Sequence, residues 1–248
     1  MVARNRVTER DEMNPEEITL PPARSKAYFF HGQLGHLLSL TLLLILLWTF
    51  ASPHLGDNTL FGKSDAFWLW VAVALAIMHQ ILGWLVFRAQ LGWAVLTRWL
   101  GEADLAVWGL IFLPMLLGRL VLLLMLGIAD YGSIVLPSSI TLPLAVLLTI
   151  TSLYTGYSVL RFFGLERALG GDHFRKKYRE MPLVREAAFR FSENAMYAYA
   201  FLALWSIALF TRSQAALALA LFQHAYVWVH YLFTEKPDMG LLYPDVKQ

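Results

Sequence analysis

Apolar runs of about 20 residues recur along this chain, and each is long enough for an α-helix to cross roughly 30 Å of hydrocarbon. Segments alternating with period two, which a membrane barrel needs, are absent. Composition agrees: 58% of the 248 residues are hydrophobic and 15% charged, where a soluble domain is about half apolar and a quarter charged. The chain therefore reads as an all-α, polytopic membrane helix bundle.

Six spans are expected, at about 29–50, 66–87, 105–128, 140–160, 195–211 and 214–234. Only "TRSQ" separates the last two, which predicts a tight antiparallel hairpin. Residues 1–27 carry both signs of charge and are expected to be a mobile tail, stiffened at its end by Pro21-Pro22. Residues 28–139 then hold three generic spans, and 140–248 hold three spans with a basic segment and a tail.

Lys and Arg orient the bundle. Under six spans, one side collects five in the N-terminal tail, two in 88–104, eight in 161–190 and two in the C-terminal tail. That is 17 against Lys63 and Arg212 on the other side, with Arg119 inside a span. Both termini are expected in the cytoplasm, as for a bacterial inner-membrane protein. Zero cysteines exclude disulfides, thiolate nucleophiles and cysteine-ligated metals. The histidines are off-register for a metal site, and no phosphate-binding loop or nucleophile elbow is present.

Three stretches carry candidate chemistry on the basic side. In "TITSLYTGYS", Thr151, Tyr154, Thr155 and Ser158 share a helix face with Gly156 nearby; helix packing is the plainer explanation of each such small or hydroxyl residue taken alone. In "LGGDHFRKKYREMPLVREAAFR", Gly170 and Gly171 permit unusual backbone angles or close approach to a ligand before Asp172 and His173. Most of the basic residues there suit anionic headgroups. In the terminal hairpin, His224, Trp228, Tyr231 and Glu235 lie within about 60° of one helical line. Asn194, Tyr197, Phe201 and Trp205 form a similar stripe. Facing stripes would make a pocket; a membrane-interface aromatic belt is the plainer alternative. Pro237 is expected to stop the last helix, leaving Lys236 and Asp238 as interfacial charges. Arg119 and His79 are unexplained intramembrane polar residues; Asp104, Asp130 or an anionic lipid phosphate could partner the arginine.

Taken in order, these stretches resemble the integral membrane methyltransferases, comprising phosphatidylethanolamine N-methyltransferases and, more distantly, isoprenylcysteine carboxyl methyltransferases. The resemblance rests on the small-residue span, the turn Leu169-Gly170-Gly171-Asp172-His173-Phe174, the segment Asn194-Ala195-Met196-Tyr197, and Glu235-Lys236-Pro237 followed by Tyr243. It covers about residues 150–243, with Ala195 and Tyr199 departing from the common Pro and Gly.

The resemblance implies S-adenosylmethionine (AdoMet) as methyl donor and a lipid-embedded acceptor, most plainly a phospholipid amine. Glu235, Tyr197, Asn194, Gly170, Gly171, Asp172, Arg190, Tyr231 and Gly156 are then the cofactor-binding candidates. His173 and His224 are candidates for a general base. Expected partners are membrane lipids and not nucleic acid. The alternatives are a prenylated or small-molecule acceptor, or a transporter or scaffold without enzyme activity.

Overall fold

The computed structural model describes residues 14–56 and 58–244; Arg4, Arg6, Arg10 and Lys247 lie outside them. The architecture is helical, with helices α1 (Gln33–Ala51), α2 (Asp65–Trp93), α3 (Asp104–Ala129), α4 (Ser138–Ser158), α5 (Leu202–Thr211), α6 (Gln214–His230) and α7 (Lys236–Leu242). Five helical stretches are long and apolar enough to cross a membrane, and Met196–Thr211 is a shorter apolar helix. The protein is an integral membrane protein. The sole sheet among the described residues is a hairpin of β1 (Thr59–Leu60) and β2 (Lys63–Ser64). Phe61 and Gly62 both take positive φ at its turn, as a two-residue hairpin loop demands.

Small residues let the helices approach closely. Ala72 and Ala76 of α2, Ala208 of α5, and Ala215, Ala216 and Ala220 of α6 are all fully buried in one cluster. Between helices in lipid, such contacts replace the hydrophobic drive available in water. The hairpin between α5 and α6 is as tight as its sequence predicts. Arg212 is left-handed, and the buried Ser213 caps α6 by accepting from the Ala216 N–H at 2.9 Å. Asp130 secures that cap, accepting from Ser213 Oγ at 2.6 Å and the Ala215 N–H at 3.0 Å.

Asp130 is therefore occupied and is not the partner of Arg119. Asp104 is engaged as well, holding Arg175 through contacts of 2.6 and 2.8 Å. Arg119 instead donates to the Gln223 side chain at 2.7 Å and its carbonyl at 3.2 Å, over the Phe201 ring. Neutral acceptors and a π face solvate this guanidinium, and no carboxylate among the described residues pairs with it.

Two further expectations fail. Residues 14–27 are not a free tail: Ile18 and Ala23 are buried, and the Leu20 N–H donates to the Leu91 carbonyl at 2.9 Å. Gly92 admits this strand of chain, since a Cβ there would lie 2.9 Å from the Ala23 carbonyl oxygen. Nor does Pro237 end the last helix. A π-helical turn, Tyr231–Glu235, follows α6, and Pro237 sits in the first turn of α7, where its missing N–H is tolerated.

Similar π-turns occupy Val159–Phe163 at the end of α4 and Met196–Ala200 before α5. Two of the three carry the residues of the site described next. Such bulges shift side chains off the regular helical line and are frequent at functional sites.

Candidate functional site

The two aromatic stripes of the terminal hairpin do face each other. Tyr197, on the π-turn Met196–Ala200, donates its hydroxyl to the Glu235 carboxylate. Its ring lies 5.9 Å from Trp228 and 5.5 Å from Tyr231, centroid to centroid. One helical turn deeper, Phe201 stacks on His224 at 5.9 Å and Trp205 donates to His224 Nδ1 at 2.9 Å. His224 Nε2 meets the Tyr197 carbonyl at 2.8 Å. That carbonyl can only accept, so Nε2 carries the proton while Nδ1 accepts from the indole. Both nitrogens of His224 are thus committed, and its expected role as a base gives way to a role in joining the two helices.

Glu235 keeps one-fifth of its side chain exposed, and its second oxygen lies 3.4 Å from His230 Nε2. Regular helical spacing put His230 on another face. The π-turn between the two residues changes the angular step and brings them together, which is why the sequence missed this histidine.

A second polar cluster adjoins α7. Asp238, expected at the interface, is fully buried. It pairs with Arg88 Nε at 2.7 Å and accepts from the Tyr28 hydroxyl at 2.7 Å. Arg88, counted above among the loop charges, is buried in the last third of α2; it also donates to the Thr234 carbonyl at 3.2 Å and lies over the Tyr28 ring. Glu235 and Asp238 stand three apart on neighbouring turns, which was the one available sign that the aspartate points inward with the glutamate.

His173 bridges this cluster to the glycine turn. Its Nδ1 is 2.9 Å from Asp172, its Nε2 is 3.5 Å from Asp238, and its ring stacks on Phe87 at 4.3 Å. Asp172 also accepts from the Tyr243 hydroxyl at 3.1 Å. Burial alone would lower the His173 pKa, but the Asp172 carboxylate, aided by Asp238, raises it to about 9. Burial likewise acts to raise Asp172, and His173, Tyr243 and Arg179 together hold that carboxylate below its usual range. At neutral pH the pair is imidazolium and carboxylate. His173 is therefore a charged donor in place rather than the free base expected of it.

The glycines of this turn serve the protein's own packing. Gly170 is left-handed, with φ of 80°, and lies against the Phe87 ring. A Cβ on Gly171 would sit 2.7 Å from the Glu166 carbonyl oxygen and 2.9 Å from the Tyr178 ring. Gly156 differs, since a Cβ there would meet nothing within 4 Å. The hydroxyls around it are satisfied within α4: Thr151, Thr155 and Ser158 donate to the Leu147, Thr151 and Tyr154 carbonyls at 2.7–2.9 Å. Asn194 precedes the Tyr197 turn and is half-buried, while Arg190 is exposed at the end of the 3₁₀ turn Ala187–Arg190.

Glu235 offers a carboxylate that could meet an ammonium, the Tyr197 ring bonded to it lies against Trp228 and Tyr231, and open space lies over Gly156. Residues 140–246 match the model of the phospholipid methyltransferase family. No curated protein and no solved structure matches the chain.

Proposed function

We propose, for a chain whose residues 140–246 carry the phospholipid methyltransferase signature, that it methylates the amine headgroup of a membrane phospholipid with AdoMet as donor. The observation that carries this reading is the Tyr197–Glu235 pair. It joins the two helices of the terminal hairpin at an acceptor carboxylate, with Trp228 and Tyr231 against the Tyr197 ring.

Glu235 would hold the amino group of the donor, and its orientation is fixed by Tyr197 on one oxygen and His230 on the other. Asn194 and Arg190 are the donors available for the donor's carboxylate. The faces of Tyr197, Tyr231 and Trp228 favour a sulfonium by about 0.5–2 kcal/mol. Gly156 leaves room that a side chain would fill. Gly170, Gly171, Asp172 and His173 act one step back, by fixing α7 and hence Glu235.

Bound AdoMet supplies an electrophilic methyl group on sulfur. Transfer to a neutral acceptor amine would form a C–N bond as the methyl–sulfur bond breaks, and Glu235 with the hairpin aromatics would hold the donor for it. The extra proton then leaves the product ammonium to solvent. No protein base is required, which agrees with His224 being doubly bonded and His173 already protonated. In-line displacement depends chiefly on holding two reactants in register, and a fixed carboxylate-and-aromatic face does that. The basic side of the bundle faces the cytoplasm in this reading, so a soluble donor reaches Glu235 from water and the lipid arrives sideways from the leaflet.

The test is direct. Purified protein in detergent is incubated with methyl-labelled AdoMet and native lipid extract. Label in phospholipid, lost in Glu235→Gln, supports the proposal. Label only in a prenylated or non-lipid product, or no AdoMet binding at millimolar concentration, overturns it.

A further inference from the structure

The chain leading into α1 is strapped across the helices that carry Glu235. Residues 18–33 lie outside the family match of 140–246, yet they are tied to three parts of the site. Arg179 donates to the Ile18 carbonyl at 2.8 Å and to the Asp172 carbonyl at 2.6 Å, joining the strap to the glycine turn. The Trp84 indole of α2 donates to the Phe29 carbonyl at 2.9 Å. Arg88 donates to both the Tyr28 and the Thr234 carbonyls, so one guanidinium spans the strap and the π-turn Tyr231–Glu235.

The π-turn itself is gripped on both sides of Glu235. In a regular helix the Phe233 carbonyl would accept from residue 237, but that residue is a proline and has no N–H. Gly32, with φ of 82°, lies against this carbonyl, and a Cβ there would overlap its oxygen. Gly35 admits the Phe233 ring in the same way. Gln33 donates to Thr234 Oγ1 at 3.4 Å. Beyond Glu235, the Tyr28 hydroxyl donates to the buried Asp238 at 2.7 Å.

We infer that this strap positions the Glu235 site, with Tyr28 and Gly32 as its positioning residues. The inference rests on the reading of Glu235 as the carboxylate that holds the donor. Neither residue touches that carboxylate. They hold the turn whose altered step brings His230 to Glu235 and sets Glu235 against Tyr197. Such turns are rare, and this one is fixed from outside by a segment that the family match does not include. Packing alone would explain a buried strap, but not two glycines and a tyrosine spent on the four residues either side of one carboxylate.

Hydrogen exchange and AdoMet binding of the full chain in detergent test the inference together. Tyr28→Phe removes one hydroxyl and keeps the ring beneath Arg88. Gly32→Ala sets a methyl against the Phe233 carbonyl. Gly62→Ala is the control, because Gly62 is also left-handed but has nothing within 4 Å of its Cβ. Without AdoMet, exchange across 231–242 should quicken about fivefold in the first two variants and not in the control. Exchange in α3 should not change. The Kd for AdoMet should rise about fivefold in the same two, while kcat at saturating AdoMet stays within about twofold of the parent. General destabilisation does not give that split. Unchanged exchange across 231–242 in both variants overturns the inference, as does a parent-like Kd where exchange has risen. A parent that binds no AdoMet defeats the donor reading instead, and exchange alone then decides whether the strap holds the turn.

Discussion

The Tyr197 hydroxyl donates to the Glu235 carboxylate across the terminal hairpin, each residue sitting on its own π-helical turn. A hydrogen bond to a charged group contributes roughly 1.5–3 kcal/mol. Tyr197→Phe keeps the ring and removes that bond, so AdoMet affinity should fall by about tenfold to a hundredfold by that measure. Glu235→Gln, which removes the charge, should cost more. Isothermal titration or equilibrium dialysis in detergent checks the order.

Arg88 and Asp238 are paired with both side chains fully buried. Arg88→Met leaves the aspartate without its cation, and breaking one side of such a pair costs about 3–5 kcal/mol. Arg88→Met combined with Asp238→Leu should recover part of the loss, since neither member of the pair is then left without its counter-ion. Thermal unfolding of the four proteins in one detergent gives the coupling, and additive losses would show the pair to be energetically idle.

The Asp172–His173 pair makes stability depend on pH at both ends. His173 is raised from 6.5 to about 9, so its contribution is complete below pH 6.5 and is lost as pH rises through about 9. Asp172 is lowered from 3.8, so its contribution is complete above that value and is lost as pH falls through its native pKa. The resulting plateau runs from about pH 4 to 6.5 for this pair. His173→Gln should flatten the alkaline decline of the melting temperature specifically.

Two glycines should answer differently to substitution. Gly171→Ala forces a Cβ into the Glu166 backbone and Tyr178 ring, and overpacking of this kind costs about 1–3 kcal/mol. Gly156→Leu meets no atom of the protein near its Cβ, so melting should stay within about 1 kcal/mol of the parent. AdoMet binding should nevertheless weaken if that space receives the donor. Parallel melting and binding curves separate a packing glycine from one that leaves room for a ligand.

The long apolar runs by themselves determined that the chain crosses a membrane as helices, because lipid offers backbone groups no other partner. The apolar runs also placed five of the spans closely, and "TRSQ" fixed the terminal hairpin. The stripe through His224 and Trp228 was legible because helical periodicity survives along α6, Gln214–His230.

Tertiary structure decided what periodicity cannot express. A π-turn alters the angular step by one residue, so His230 came round to Glu235 and Pro237 became the start of α7 instead of a stop. Partners far apart in sequence, such as Arg88 with Asp238 and Arg175 with Asp104, turned apparent surface charges into buried pairs. Hydrophobic pattern reports how a side chain meets solvent; it is silent about which charge meets which, since burial of an ion depends on a counter-ion brought by another helix.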